Sequence, residues 1–196
     1  MEFDPFKYPI NKLNRVVPNK GHALISEPFM EDQYFKRAVV YLVEHNEEGT
    51  VGFMLNKSLD VSLNEVLVDF PQMDCPVYLG GPVQPQNLFY LHNKGELLND
   101  SVEIDQGVYW NGNFEQLKEA INQKMITKND IRFFLGYSGW DAQQLKGELE
   151  ENSWFVMNLP QKLLFSQTED LWKSILKDSG SRISPMAEFP ENPSLN

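Results

Sequence analysis

The chain has 196 residues, of which 41% are hydrophobic and 23% are charged, and its 28 acidic and 17 basic residues give a formal net charge of −11. This composition is typical of a globular domain with its own hydrophobic core, and it excludes both a disordered chain and an apolar run long enough to cross a membrane. The single cysteine, Cys75, excludes an internal disulfide and a CxxC pair, and the acidic charge disfavours binding to nucleic acid.

Residues 1–20 are expected to form an irregular lead-in, because they contain three prolines. They begin with acidic residues and a proline instead of the basic and then apolar residues of a secretory signal, so we expect a cytoplasmic protein. The lead-in is locally basic, which leaves two interpretations: a solvated arm or, less favoured, a weak nucleic-acid patch. Its basic residues are Lys7, Lys12, Arg15 and Lys20.

The main domain is expected over residues 21–177, where short runs rich in β-branched, aromatic or aliphatic residues alternate with turns. A polar, glycine-containing stretch at 45–49 predicts a hairpin, and a tight turn is expected at 80–82. The predicted strands cover residues 22–26, 38–44, 50–55, 76–80, 88–92, 102–104, 108–110, 131–135 and 154–157.

Helices are predicted in four places. Capping-box sequences at 62–65 and 166–169 begin two of them, and Pro71 is expected to end the first. Apolar residues at 114, 117, 121 and 125 have the spacing of an amphipathic helix, as do those at 142, 145 and 149. Residues 178–196 contain three prolines and predict a tail, part of which Met186 and Phe189 could hold against the domain.

The predicted strands outnumber the predicted helices, and this balance indicates the fold class. Most connections between strands are shorter than the dozen or so residues that a parallel crossover needs. The pattern therefore predicts a single α+β domain with a mixed, mostly antiparallel sheet and flanking helices, and not a doubly wound parallel fold.

Several segments of the chain stand out because they occur together and in a fixed order. They are GHALIS at 21–26, DQYFKRAVV at 32–40, EH at 44–45, GTVGFMLNK at 49–57, GGPV at 80–83, LH at 91–92, GYSGW at 136–140, QL at 144–145 and EL at 148–149. In this order and spacing they closely resemble the AlgH-like family of bacterial proteins, also called YqgE-like, over roughly residues 20–176. The chain departs from the family pattern at Lys57-Ser58, where Arg-Pro is usual, and at Gln143, where Gly is usual.

The resemblance implies a single domain with a curled, barrel-like sheet and flanking helices. It implies no established reaction, metal or cofactor. If the usual arginine of the family held an anion bidentately, Lys57 would do so less well. The family is commonly labelled a transcriptional regulator, so a DNA-binding regulator is one alternative, against the acidic charge and the lack of a recognisable helix-turn-helix.

The segment 136–140 is expected to be a loop between a strand and a helix, which is the setting of a nucleophile elbow. Ser138 would then be the nucleophile, but Trp140 occupies the position of the second glycine, and the family often has alanine in place of the serine. We favour a shaped turn that Trp140 anchors by its burial. A cradle of backbone N–H groups for an anion at the helix start is compatible with that turn.

Special residues gather at the predicted strand ends and turns, where they would form one rim. The three histidines, including His22, lack metal-ligand spacing, so hydrogen-bonded structural roles are favoured over a metal site. We predict a ligand- or protein-binding regulatory module without a cofactor; the other alternative is a hydrolase or transferase that uses a histidine as acid–base. Glu148 is expected on a solvated helix face. The candidate rim comprises His45, Asn56, Gly80, Gly81, His92, Tyr137, Ser138 and Trp140.

Overall fold

Strands and short helices alternate along the chain in a computed structural model that describes residues 10–14, 16–166, 170–180 and 182–190. The strands in these ranges are β1 (His22–Ser26), β2 (Val39–Asn46), β3 (Gly49–Met54), β4 (Ser58–Ser62), β5 (Pro76–Leu79), β6 (Val83–His92), β7 (Val102–Asp105), β8 (Val108–Trp110), β9 (Ile131–Asp141) and β10 (Trp154–Asn158). The α-helices are α1 (Ile10–Leu13), α2 (Leu63–Val66), α3 (Phe114–Asn122), α4 (Gln144–Glu150), α5 (Gln161–Leu164) and α6 (Leu171–Asp178), and 3-10 helices span Gly95–Leu97 and Ser184–Glu188.

The strands form one mixed sheet in the order β10-β1-β2-β3-β9-β6-β8-β7, with β4 and β5 as a branch beside β9. Strands β5 and β9 run parallel, and the other neighbouring pairs are antiparallel. The sheet curls, so that the start of β1 comes close to the edge strand β7. Lys20 Nζ, just before β1, donates to the Glu103 carbonyl oxygen on β7 at 3.2 Å. Among the described strands the ladder does not close. The predicted α+β fold with a mostly antiparallel sheet is therefore confirmed.

Strand β9 is continuous over 11 residues, so the prediction of a loop at 136–140 is wrong. Its last residues pair with β3, from Gly52 opposite Ser138 to Gly49 opposite Asp141, while its first half pairs with β5 and β6. Gly136 has a φ of +68°, which places a local kink inside the strand instead of a turn at its end. Because no helix begins in this paired stretch, the anion cradle expected at a helix start is wrong as well.

The other local predictions differ from the structure mainly in their limits. The hairpin at 45–49 and the capping box of Ser62 are confirmed, but α2 already ends at Val66. Strand β4 escaped prediction because its side chains are largely exposed and show no apolar run. The second capping box includes residues 167–169, which lie outside the described residues; the α6 N-cap is Asp170, which accepts from the Lys173 N–H. None of the helices in the described ranges combines the length and apolarity that a membrane span requires.

The core lies on both faces of the sheet in three apolar clusters. The largest is covered by α6 and the 3-10 helix Ser184–Glu188, with Trp172 fully buried. A second cluster lies between α3 and the first half of β9, and a third lies between α4 and the other face of β1–β3. Phe133 belongs to the second cluster and Phe134 to the first, as the alternation of side chains along a strand requires.

Candidate functional site

The residues of the predicted rim do not all lie together: some hold the crossing of two chain segments, some make separate structural contacts, and Tyr137 and Trp140 line an open cleft. The crossing places the turn at Gly80 and Gly81 directly against β9. A Cβ atom on Gly80 would lie 2.2 Å from the Gly136 carbonyl oxygen, and one on Gly81 would lie 2.2 Å from the Tyr137 carbonyl. These two glycines are therefore required by the close approach of the backbones.

Ser138 is buried at this crossing and is 0% exposed. Its hydroxyl donates to the Gly80 carbonyl oxygen at 3.0 Å, so it ties β9 to the turn. His45 Nδ1 lies 2.7 Å from Thr50 Oγ1, on the hairpin of β2 and β3. The serine and the histidine are thus each engaged elsewhere, and the nucleophile–base contact that a serine hydrolase needs is not formed between them.

Trp140 is held by the carboxylate of Glu148, a residue that was expected on a solvated helix face. The Trp140 indole N–H donates to Glu148 Oε2 at 2.8 Å, and the Trp154 indole N–H donates to the same oxygen at 2.7 Å. Gln144 donates to the other oxygen at 3.0 Å. Phe35 stacks on Trp140 with ring centroids 5.7 Å apart. This cluster fixes α4 against the sheet.

His92 is fully buried beneath β8. Its Nε2 lies 2.7 Å from the Asn111 carbonyl oxygen, and its Nδ1 accepts from the Lys94 N–H at 3.2 Å. Burial lowers the pKa of His92 below its ordinary value of 6.5, although the hydrogen bond to Asn111 opposes the shift. With both ring nitrogens engaged and no exposure, the imidazole stabilises the β6–β8 region and does not reach a shared rim.

The side chain of Asn56, which follows β3, holds the start of β2 by two hydrogen bonds. Its Oδ1 accepts from the Val39 N–H at 2.9 Å and its Nδ2 donates to the Arg37 carbonyl oxygen at 2.8 Å. Arg37 has a φ of +51°, a conformation that L-residues rarely adopt, so the side chain of Asn56 stabilises the turn before β2. Neither Asn56 nor His92 lies near Tyr137 in the cleft described next.

An open cleft of about 350 Å³ lies at the end of the β2–β3 hairpin, and we call it the hairpin cleft. Val51 pairs with Gly139, and Val83 pairs with Tyr137, so these four residues share one face of the sheet. The bare Cα of Gly139 leaves room between neighbouring side chains, and the Tyr137 ring packs edge-on against Phe89 with centroids 5.8 Å apart. The hairpin cleft is lined by Glu44, Asn46, Glu48, Gly49, Thr50, Val51, Val83, Tyr137, Gly139, Trp140 and Asp141.

The charges around the hairpin cleft have one sign. Glu44, Glu48 and Asp141 contribute carboxylates, all three residues are exposed, and none of the residues that line the cleft is Lys or Arg. Asn46 supports the hairpin, since its Oδ1 accepts from the Glu48 N–H at 2.8 Å. This grouping of acids could not be predicted from the sequence, because it arises from the register between strands. A signal was nevertheless present in the acidic hairpin tip at 44–48.

Comparison with known proteins identifies the family of the domain. A family model described as AlgH-like matches residues 23–184, which is most of the chain. The chain belongs to the AlgH-like family. The resemblance that its ordered segments indicated is thus confirmed.

Relatives and solved structures agree with this membership. The AlgH-like chain is 40% identical to a UPF0301 protein of Bacteroides thetaiotaomicron over 185 residues, 93% of this chain and 94% of that protein. It is similar to the solution structure of the AlgH protein from Pseudomonas aeruginosa, with 30% identity, a TM-score of 0.70 and coverage of 90% and 98% of the two chains. A crystal structure from Corynebacterium diphtheriae gives 25% identity, a TM-score of 0.77 and coverage of 92% and 97%.

Within the described part of this AlgH-like protein, no three His, Cys, Asp or Glu side chains are grouped to hold a metal ion. Cys75 is buried, and burial raises the pKa of its thiol to about 11, so the thiolate that reacts or binds metals is disfavoured. The hairpin cleft has an accessible and distinctive chemistry, since it is an acidic recess with an aromatic side chain and a glycine backbone.

Proposed function

We propose that this AlgH-like protein is a regulatory binding module and that the hairpin cleft is its binding site. The observation that carries the proposal is an open recess of about 350 Å³ bordered by three carboxylates without a cation among its lining residues. A volume of this size accommodates a small molecule or one side chain of a protein partner. The bound group would be positively charged, as in an amine, a guanidinium or a Lys or Arg side chain.

The lining favours such a cation for two physical reasons. Like-signed carboxylates in a recess add their potentials and raise the local concentration of a cationic group. The Tyr137 ring offers a second attraction. The face of an aromatic ring attracts a cation, and the ring also packs against the apolar stem of an amine or guanidinium. Gly139 lets the ligand approach the sheet without a side chain in the way.

The alternatives have less support. A hydrolase or transferase that uses a histidine would need an accessible imidazole beside a nucleophile, whereas Ser138 and His92 are each 0% exposed and the partly exposed His45 contacts Thr50 through its Nδ1. Direct DNA binding would need a basic surface, and the net charge of −11 opposes it. We therefore place any regulatory effect in a complex with a cationic small molecule or protein segment in the cytoplasm.

The proposal is tested by an NMR titration of the ¹⁵N-labelled full chain with arginine methyl ester, with N-acetyl-leucine methylamide as the neutral probe. The arginine ester is expected to shift the amides of Val51, Tyr137 and Gly139 in a saturable way, and the neutral probe is not. Glu48→Gln and Asp141→Asn should each weaken binding roughly 3- to 5-fold, the size of one exposed charge pair.

The matched control is Glu119→Gln, which removes an exposed carboxylate on α3 and leaves the net charge equal to that of Glu48→Gln. It should leave the affinity unchanged. The proposal fails if the arginine ester shifts no lining amide, or if the Glu119 variant weakens binding as much as the Glu48 variant, since the attraction would then come from overall charge.

A further inference from the structure

A second cleft, of about 620 Å³, lies where the lead-in, the end of β10 and the end of α6 meet, and we call it the lead-in cleft. It shares no residue with the hairpin cleft. The lead-in cleft is lined by Lys12, Leu13, Asn14, Val16, Val156, Met157, Asn158, Asp178, Ser179, Gly180, Arg182 and Ile183. Its volume lies within the usual range of small-molecule sites, about 300–1,000 Å³.

The shape of the lead-in cleft is held by specific contacts. The Asn14 side chain acts as a short substitute strand on the edge of β10, since its Nδ2 donates to the Trp154 carbonyl oxygen at 3.0 Å and its Oδ1 accepts from the Val156 N–H at 2.9 Å. Ser179 Oγ lies 3.2 Å from Met157 Sδ. The walls therefore come from elements that are tied to the sheet.

Apolar side chains and one exposed lysine both face this space. Leu13, Val16, Met157 and Ile183 are partly buried, which gives the lead-in cleft an apolar surface. Lys12 is exposed, and its ammonium makes no ion pair with any residue that the structure describes.

The balance of charge in the lead-in cleft is opposite to that in the hairpin cleft. Lys12 and Arg182 contribute two cations, and Asp178 contributes one carboxylate. The α6 C-terminus contributes negative potential to the same region, and two hydrogen bonds reduce it only in part: the Ser179 N–H donates to the Leu176 carbonyl at 3.1 Å and Ser179 Oγ donates to the Ile175 carbonyl at 2.5 Å. The surroundings thus favour an anion on the side of Lys12 and Arg182.

We propose that the lead-in cleft binds a small amphipathic anion. A phosphate or carboxylate group lies at Lys12 and Arg182, with Asn158 as a neutral hydrogen-bonding group, and the apolar body of the ligand covers Met157 and Ile183. The site is independent of the hairpin cleft and of the cationic ligand proposed there. It gives the basic lead-in a role other than a solvated arm or a nucleic-acid patch.

Methyl NMR of the full chain tests this site directly, because Met157 lies in the lead-in cleft and Met125, which is 46% exposed elsewhere, is an internal control. The chain labelled with ¹³C at its methionine methyl groups is titrated with hexyl phosphate, hexylamine and inorganic phosphate. Hexyl phosphate is expected to shift Met157 alone in a saturable way. Hexylamine and inorganic phosphate should bind at least about 5-fold more weakly.

Two charge variants give effects of opposite sign. Lys12→Gln should weaken hexyl phosphate roughly 3- to 5-fold, and Asp178→Asn should strengthen it by a similar factor. The matched control is Lys146→Gln, which removes an exposed lysine on α4 and should change nothing.

Three results would overturn the inference. They are an unmoved Met157 signal, equal affinity for hexyl phosphate and hexylamine, or equal weakening by the Lys12 and Lys146 variants. A fourth contrary result is binding to vesicles of anionic phospholipid without binding of soluble hexyl phosphate, which would assign the charge to a membrane surface. Failure here leaves the hairpin cleft untouched, because the arginine ester titration has its own reporters.

Discussion

At the scale of single residues, a few buried or half-buried polar side chains determine how the elements meet. Glu148 accepts hydrogen bonds from two indole N–H groups and from Gln144 with one carboxylate. Arg132 is 4% exposed, donates to the carbonyl oxygens of Leu55 and Ser166, and lies 4.6 Å from the centre of the Tyr78 ring. Neither role could be predicted from the sequence, because local spacing does not show which distant donors and acceptors a charged side chain will meet.

The Glu148 cluster gives a prediction for stability. Glu148→Ala leaves the Trp140 and Trp154 donors without their acceptor, so the free energy of unfolding should fall by about 2–4 kcal/mol. Glu148→Gln retains an acceptor oxygen and should lose less. Urea unfolding followed by tryptophan fluorescence measures both, with Glu119→Ala as an exposed control expected within about 0.5 kcal/mol of the parent. Equal losses for Glu148→Ala and the control would contradict the role of the carboxylate.

His92 gives a prediction for pH dependence. The pKa of His92 is lower in the folded state than its ordinary value of 6.5. At pH values between these two pKa values, the unfolded chain binds more protons than the folded chain. The free energy of unfolding should therefore fall as pH decreases from 7 to 5, by at most about 1.4 kcal/mol per pH unit from this group. His92→Gln should be less stable at pH 7 but should lose less on acidification. Parallel pH profiles for the two proteins would contradict this assignment.

At the scale of elements, short-range patterns were sufficient for hairpins and helix faces but not for β9. The β2–β3 hairpin and α3 follow from alternation, turn residues and helical spacing over a few positions. The glycines at 136 and 139 are equally compatible with a turn and with a kinked strand. Pairing with β3, about 90 residues away in sequence, stabilises the strand conformation. No local sequence pattern contains that information.

Alanine substitutions at two glycines should have opposite effects on stability, because Gly80 lies at the crossing with β9 and Gly147 lies in open space on α4. Gly80→Ala would place a Cβ 2.2 Å from the Gly136 carbonyl oxygen and should reduce the free energy of unfolding by at least about 2 kcal/mol. Gly147→Ala lies in α4 with no atom within 4 Å of the added Cβ, so it should stabilise by about 0.5–1 kcal/mol. Thermal or urea unfolding separates them. A stable Gly80→Ala protein would show that the backbones can move apart.

At the scale of the whole molecule, the curled sheet explains why residues that were expected on one rim lie in separate places. Strand ends were expected to meet on one edge, but curling places His92 and Asn56 in separate contacts while Tyr137 lines the hairpin cleft. The α+β class could be predicted because it depends on the number of strands and the length of their connections. The two clefts could not be predicted, because each depends on elements far apart in sequence.

Charge is also divided at this scale. The hairpin cleft carries three carboxylates, and the lead-in cleft carries two cations and one carboxylate. One domain therefore offers two recesses whose lining residues differ in charge.

The most direct test of the hairpin cleft as a binding site narrows the cleft at Gly139 without changing its charge. Gly139→Ala adds a Cβ 3.3 Å from the Tyr137 ring and 3.9 Å from Val83 Cγ2 in a backbone conformation open to any residue, so the protein should remain folded. The measurement is the affinity of arginine methyl ester for this variant and for Gly147→Ala by NMR titration. We predict about a tenfold loss for Gly139→Ala and no loss for Gly147→Ala. Unchanged affinity in a folded Gly139→Ala protein would contradict the account.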